Sequence, residues 1–317
     1  MKNRFAVLSA LAALFVLIVA SRQAIESARY GLQLCLELIL PSLFPFFLVS
    51  LLLSRLGFPL LLGRLLSRPV GKLFRVSGVG ATAFVIGLCG GYPMGAAYLA
   101  DMLREGLIRE DEAEHLLSFC NNSGPAFLVG AVGAGVFGSA RLGLALYGIH
   151  ALAALLTGLL FRKRAPGYSS LPPRTPEPEV SVFRLLPEAL QQTVTSLLNV
   201  SGFVVCFTVF TGLLNANGLL EPVIHCFPLT VQQTVRAVLI GFWEIGGGIG
   251  ALRGLPPTPL NLAAAAGLVG WGGVSVQFQT LALLSDSSTK GALHLAGRLS
   301  SALLSFCLAY LLFRFRS

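Results

Sequence analysis

The sequence predicts an all-α polytopic membrane protein made of two inverted repeats with re-entrant hairpins and broken helices. Three observations lead there. Of the 317 residues, 55% are hydrophobic and only 12% charged, with a mean hydropathy of +0.77; soluble domains carry roughly 25% charge. The apolar residues fall in successive blocks long enough for a hydrocarbon core about 30 Å thick, which takes roughly 20 helical residues. The order of elements in the first half of the chain then recurs in the second.

Blocks 5–20, 38–54, 126–138, 142–161, 197–214, 262–284 and 291–313 read as spans. The first begins with a basic stretch, MKNRF, and resembles a signal peptide, with cleavage after Ala20 as the alternative to an uncleaved first span. Two further apolar stretches, 79–100 and 234–254, carry a glycine cluster near the centre, joined by proline in the first. Each half is too short to cross alone, and the cluster favours a break.

Each half runs in the same order: an amphipathic segment (Ala24 to Glu37; Leu186 to Ser196), a span, a glycine-broken stretch (GLCGGYPMG; FWEIGGGIG), a second interrupted segment (FCNNSGPAFLVGAVG; AAGLVGWGGVSVQFQ) and a plain span. The chain divides accordingly into an N-terminal helix (1–22), a first repeat (23–161), a linker (162–185) and a second repeat (186–317).

The net charge of +9 is placed like a membrane protein's, not like a nucleic-acid binder's. Ten of the 23 Lys and Arg residues gather in two loops: Arg55, Arg64, Arg68, Lys72 and Arg75, then Arg162, Lys163, Arg164, Arg174 and Arg184. The positive-inside rule puts both loops in the cytoplasm. That parity holds only if 79–104 enters and leaves from one side, which leaves three crossings per half and inverts the repeats. The same arrangement places the basic tail, Arg314 and Arg316, outside, against the rule. No CxxC pair occurs among the six cysteines, and neither a disulfide framework nor a metal site is expected.

Broken helices survive in lipid only where the freed backbone is buried in protein or faces a wet cavity. The breaks are therefore the candidate site. Residues 112–138 read as one helix interrupted at Cys120-Asn121-Asn122-Ser123-Gly124-Pro125, and a half-helix restarting at Pro125 would aim its free N–H groups at a polar or anionic solute. The tip Cys89-Gly90-Gly91-Tyr92-Pro93-Met94 would face it. The second half offers Glu244-Ile245-Gly246-Gly247-Gly248 and Trp271-Gly272-Gly273-Val274-Ser275, followed by Gln277 and Gln279. Packing alone accounts for Gly133, Gly135 and Gly138.

Glu244, the sole acidic residue deep in an apolar block of the second half, has two readings: it binds a coupling cation or proton, or it pairs with Arg298. His150 reads as a single interhelical hydrogen bond, and His115 and His225 as residues near loops. There is no HExxH, no GxSxG, no phosphate-binding loop and no carboxylate pair in a shared apolar block, so no enzyme is expected.

Residues 87–138, GLCGGYPMGAAYLADMLREGLIREDEAEHLLSFCNNSGPAFLVGAVGAGVFG, resemble the YlbJ-like sporulation integral membrane proteins, within the wider group carrying nucleoside-recognition or Gate domains. FWEIGGGIGAL fits the same pattern. The resemblance implies a role in endospore formation, in a membrane of the sporulating cell such as that of the forespore, moving dipicolinic acid, a small aromatic dicarboxylate. It carries over Gly90, Gly91, Tyr92, Pro93, Asn121, Asn122, Ser123, Gly124 and Pro125 as site residues, with Glu244, Gly246 and Gly247; Ser275 and Gln277 come from the breaks themselves. The partners expected are a small anionic or polar solute and the bilayer, with no nucleic acid and no cofactor. A homo-oligomer or a sporulation membrane partner stays open. So do two other functions, transport of a different solute such as a nucleoside and a non-transporting assembly role.

Overall fold

A computed structural model describes residues 2–58, 69–162, 182–284 and 291–315. Of the two basic loops, Arg64, Arg68, Lys163, Arg164 and Arg174 lie outside the described residues, as does Arg316. Every regular element among the described residues is helical. Among the described residues four helical stretches are long and apolar enough to span a membrane: Ala140–Leu160, Phe183–Ala216, Pro259–Leu283 and Ala292–Arg314. A fifth candidate is the pair Val7–Val19 and Ser21–Ile39, bent by 95°.

Local chemistry explains where helices continue and where they break. Helix Val182–Ala216 joins the amphipathic segment to the following span without interruption, since no proline occurs between Glu188 and Ala216. Its counterpart in the first half has Pro41 and Pro45, and the missing N–H of Pro41 leaves the Glu37 carbonyl without its helical partner. The chain widens there into a π-helical turn, Cys35–Ile39, before Leu40–Arg55. The block 126–138 also differs from a plain span: after Pro125 it winds as a short π-helix, Ala126–Val136. Block 262–284 divides at Gly272 into Pro259–Trp271 and Gly273–Leu283.

The two glycine-broken stretches fold back on themselves. Gly78–Gly90 and Met94–Arg104 are joined by three residues, and Gln232–Trp243 and Ile245–Ala251 by Glu244 alone. Both pairs pack with their backbones in contact. In the first, a Cβ on Gly95 would lie 3.1 Å from the Gly87 Cα; in the second, a Cβ on Gly241 would lie 3.1 Å from the Gly248 Cα.

Polar contacts fix the hairpin bases. Ser77 caps the first hairpin by accepting from the Gly80 amide (2.9 Å), and its own amide donates to Glu112 Oε1 (2.5 Å). His115, in helix Glu110–Cys120, is buried against the Phe74 carbonyl (3.1 Å), next to the irregular segment 75–77. Phe74, Phe84 and Phe119 pack on one another, and the Phe119 ring packs against that of His115. At the base of the second hairpin Thr234 donates to Asn261 Oδ1 (2.6 Å), and Arg236 binds Glu221 (2.7 Å) and the Asn215 side chain.

The flanks of the two basic loops adjoin: Arg162 Nη2 donates to the Lys72 carbonyl (3.3 Å), and Arg55 meets Gln192 (3.2 Å) and Glu188 (3.7 Å). Gly133 packs against Gly143, which gives it the packing role expected of it.

The first hairpin seats on helix Glu110–Cys120 through Gly87, where any Cβ would overlap the Cys120 carbonyl oxygen. Gly87→Ala should therefore destabilise the protein by about 1–3 kcal/mol, the usual cost of overpacking a core. Thermal melting in detergent measures it, and Gly148→Ala, where a Cβ meets open space, should leave the midpoint unchanged.

Candidate functional site

The hairpin tips and helix breaks meet at the centre of the chain's fold. Gly91 has φ +78° and ψ −174°, a conformation that glycine alone adopts readily. A Cβ there would lie 2.8 Å from the Gly124 amide nitrogen, so the first tip touches the first break backbone to backbone. The second half repeats the contact: a Cβ on Gly273 would lie 2.9 Å from the Ile245 nitrogen. Trp271 strengthens it, donating its indole N–H to the Phe242 carbonyl (2.8 Å) and stacking on the Phe242 ring.

A small cavity of about 50 Å³ lies between these contacts, with room for a few waters. Its polar lining comes from all four interruptions: Gly91 and Tyr92, Ser123 and Gly124, Glu244 and Gly246, Ser275 and Gln279. Ile39, Leu43, Phe127, Val200 and Val204 close the apolar side. Gly91 and Tyr92, Ser123 and Gly124, Glu244 and Gly246, and Ser275 stand at or just before the start of a helix, respectively Met94–Arg104, Ala126–Val136, Ile245–Ala251 and Gly273–Leu283, with Gln279 further along the last. Helix N-termini carry partial positive charge and free N–H groups, so the cavity faces four electropositive ends.

Glu244 answers one of them. It is 1% exposed, and its carboxylate accepts from the Gly246 (2.7 Å) and Gly247 (2.5 Å) amides. Of its two sequence readings, the pair with Arg298 is not formed: among the described residues Glu244 bonds only to these amides, and Arg298 bonds elsewhere.

Arg298, in helix Ala292–Arg314, is fully buried. Its Nη1 donates to the Asn121 carbonyl (2.6 Å) and, at 3.4 Å, to Asn122 Oδ1; its Nη2 donates to the Tyr92 hydroxyl (2.7 Å) and to the Gly270 carbonyl. Tyr92 in turn donates to the Val269 carbonyl (2.9 Å). Val269 and Gly270 end helix Pro259–Trp271, and Asn121 caps the end of Glu110–Cys120. Arg298 and Tyr92 thus take up carbonyls freed at two helix C-termini. Further bonds hold the breaks. Gln277 donates to the Trp271 carbonyl (2.6 Å), His150 accepts from the Ser123 amide (3.1 Å), as the single interhelical bond expected of it, and Asn121 donates to Thr280 (2.7 Å).

Among the residues singled out from sequence, Gly91, Tyr92, Ser123, Gly124, Glu244, Gly246 and Ser275 line the cavity. Gly90, Pro93, Asn121, Asn122, Pro125, Gly247 and Gln277 stand behind them in the turns and hydrogen bonds that shape it. The buried Ser123 hydroxyl has no hydrogen-bond partner among the described residues. Arg298 entered the sequence reading as a possible partner of Glu244; its contacts with the first half left no trace there.

No family model matches the chain. It is 31% identical over 292 residues to the sporulation integral membrane protein YlbJ of Bacillus subtilis (strain 168), across 84% of this chain and 71% of that protein. The chain belongs to the YlbJ family of sporulation integral membrane proteins. It is accordingly a multi-pass membrane protein. Among solved structures, this YlbJ-family chain shares its fold with a variant of CNTnw in the intermediate 3 state, with a TM-score of 0.54, 14% identity and coverage of 100% of this chain and 85% of that one.

Tyr92→Phe keeps the ring and removes the hydroxyl that joins Arg298 to the Val269 carbonyl. Hydrogen bonds to charged groups are worth about 1.5–3 kcal/mol, so the variant should lose stability on that scale in detergent melts.

Proposed function

We propose that the protein is a membrane transporter for a small polar or anionic solute, with dipicolinic acid, the solute implied by the sequence resemblance, as first candidate. One observation carries the reading: the starts of four helices, from both halves, border one cavity. Helix N-termini attract anions, and paired broken helices meeting between two repeats are how many secondary transporters build a solute site. At about 50 Å³ the cavity is too small for an aromatic dicarboxylate. Loading then requires the lining to move apart around the solute.

The two halves act as inverted repeats, and the hairpins are re-entrant from opposite faces of the membrane. Contacts at the hairpin bases support this. The first hairpin's base adjoins helix Glu110–Cys120 and the segment before it, whose Lys72 carbonyl binds Arg162 at the loop flank. The second is tied through Arg236 to Asn215 and Glu221, at the far end of helix Val182–Ala216. Membership of the nucleoside-recognition (Gate) group fits the same plan. The chain works as a carrier and not as an enzyme.

Glu244 serves as the coupling group. A bare carboxylate beside a dianion is unfavourable, so a proton or cation taken up at Glu244 accompanies the solute.

Reconstituted in liposomes, the protein should take up labelled dipicolinate faster than protein-free vesicles. Glu244→Gln, a permanently neutral mimic of the protonated acid, should bind dipicolinate but lose dependence on a pH gradient. A folded protein that moves neither dipicolinate nor any of a panel of dicarboxylates and nucleosides, and that co-purifies with a stoichiometric partner, would contradict transport and favour an assembly role.

A further inference from the structure

The environment of Arg298 is chemically unusual. A fully buried guanidinium ordinarily has a carboxylate partner, because an isolated charge is expensive to take out of water. Among the described residues no carboxylate is in ion-pair contact with it. Its partners are four uncharged oxygens: the Asn121 and Gly270 carbonyls, Asn122 Oδ1 and the Tyr92 hydroxyl.

The missing counter-charge is supplied by the backbone. Asn121 caps the C-terminal end of Glu110–Cys120, and Gly270 lies in the last turn of Pro259–Trp271. A helix C-terminus is equivalent to roughly half a negative charge, so two such ends together offset about one positive charge. The Tyr92 ring adds its face, 5.4 Å from the guanidinium carbon.

Carbonyls at facing helix ends, an amide oxygen and a hydroxyl form a set of hard, neutral donors suited to a monovalent cation. We infer that Arg298 is a tethered cation: its guanidinium fills, from within the chain, an oxygen cage between two helix C-termini that would otherwise call for a free monovalent ion. The cage spans both halves, since Tyr92, Asn121 and Asn122 come from the first and Gly270 and Arg298 from the second. Filling it holds the first hairpin tip and the first break against the second break. Because the cation is covalently attached, this closure needs no ion from solution.

The inference rests on the packing of the breaks, and its readout is thermal stability, so it stands or falls separately from transport. Arg298→Ala removes the guanidinium and leaves the oxygens in place. Its melting midpoint in detergent should fall. Guanidinium chloride at low millimolar concentration should restore much of the loss, while choline chloride at equal ionic strength should not, and wild type should respond to neither.

Arg298→Lys and Arg298→Met keep the test open should the alanine variant fail to fold. The lysine variant keeps a charge for the cage and should melt above the methionine variant, which keeps bulk alone. Wild-type stability in Arg298→Ala, a loss that guanidinium does not recover in folded protein, or a methionine variant as stable as the lysine variant would each overturn the inference.

Discussion

A helix interrupted inside a membrane protein releases carbonyls at one stump and amides at the next, and lipid offers them nothing to bond. The rest of this structure is organised around meeting that demand at four interruptions. Amides are answered by Glu244, which takes those of Gly246 and Gly247, and by His150, which takes that of Ser123. Carbonyls are answered by Arg298, Tyr92, Trp271 and Gln277. Several of these donors come from the opposite half of the chain, so satisfying the backbone and joining the halves are one event.

The breaks are also sorted by polarity. Their N-terminal ends surround the cavity, while two of their C-terminal ends surround Arg298. Positive dipole ends gather where a solute would sit, and negative ends gather on a cation that belongs to the chain. A hairpin tip and a helix interruption each bring one C-terminus and one N-terminus together, and the packing of the four decides which ends meet. Among the described residues no basic side chain lines the cavity, and Glu244 in its lining already bonds two of the freed amides.

Much of this was legible in the sequence because breaks leave a chemical trace. Gly91 must be glycine for its backbone conformation, and Gly124 for the approach of Gly91, so GGYP and NNSGP stood out from ordinary apolar helix. The hairpin at Glu244 was marked by an acid among glycines. Other features depend on tertiary contact and left no local trace. Nothing around Arg298 names Asn121 or Tyr92, more than 170 residues away, and the choice between a Glu244 partner and another was open until the helices were placed. Asn121 and Asn122 suggested solute ligands by type; the Asn122 amide holds Phe119 and Arg298 and the Asn121 amide nitrogen holds Thr280, while Asn121 Oδ1 has no hydrogen-bond partner among the described residues. The division of the block 262–284 at Gly272 was suggested by GWGGVS, whereas the π-helical winding after Pro125 was not.

The claim on which the account turns is that hairpin tips and helix breaks from both halves form one solute site. A structure of the protein in lipid nanodiscs with dipicolinate, solved at a resolution that shows the ligand, tests it most directly. The account predicts ligand density between Tyr92, Ser123, Gly246 and Ser275, with the tips drawn apart around it. Density at any other place, with Gly91 and Gly124 still in contact and the central cavity unfilled, would contradict it.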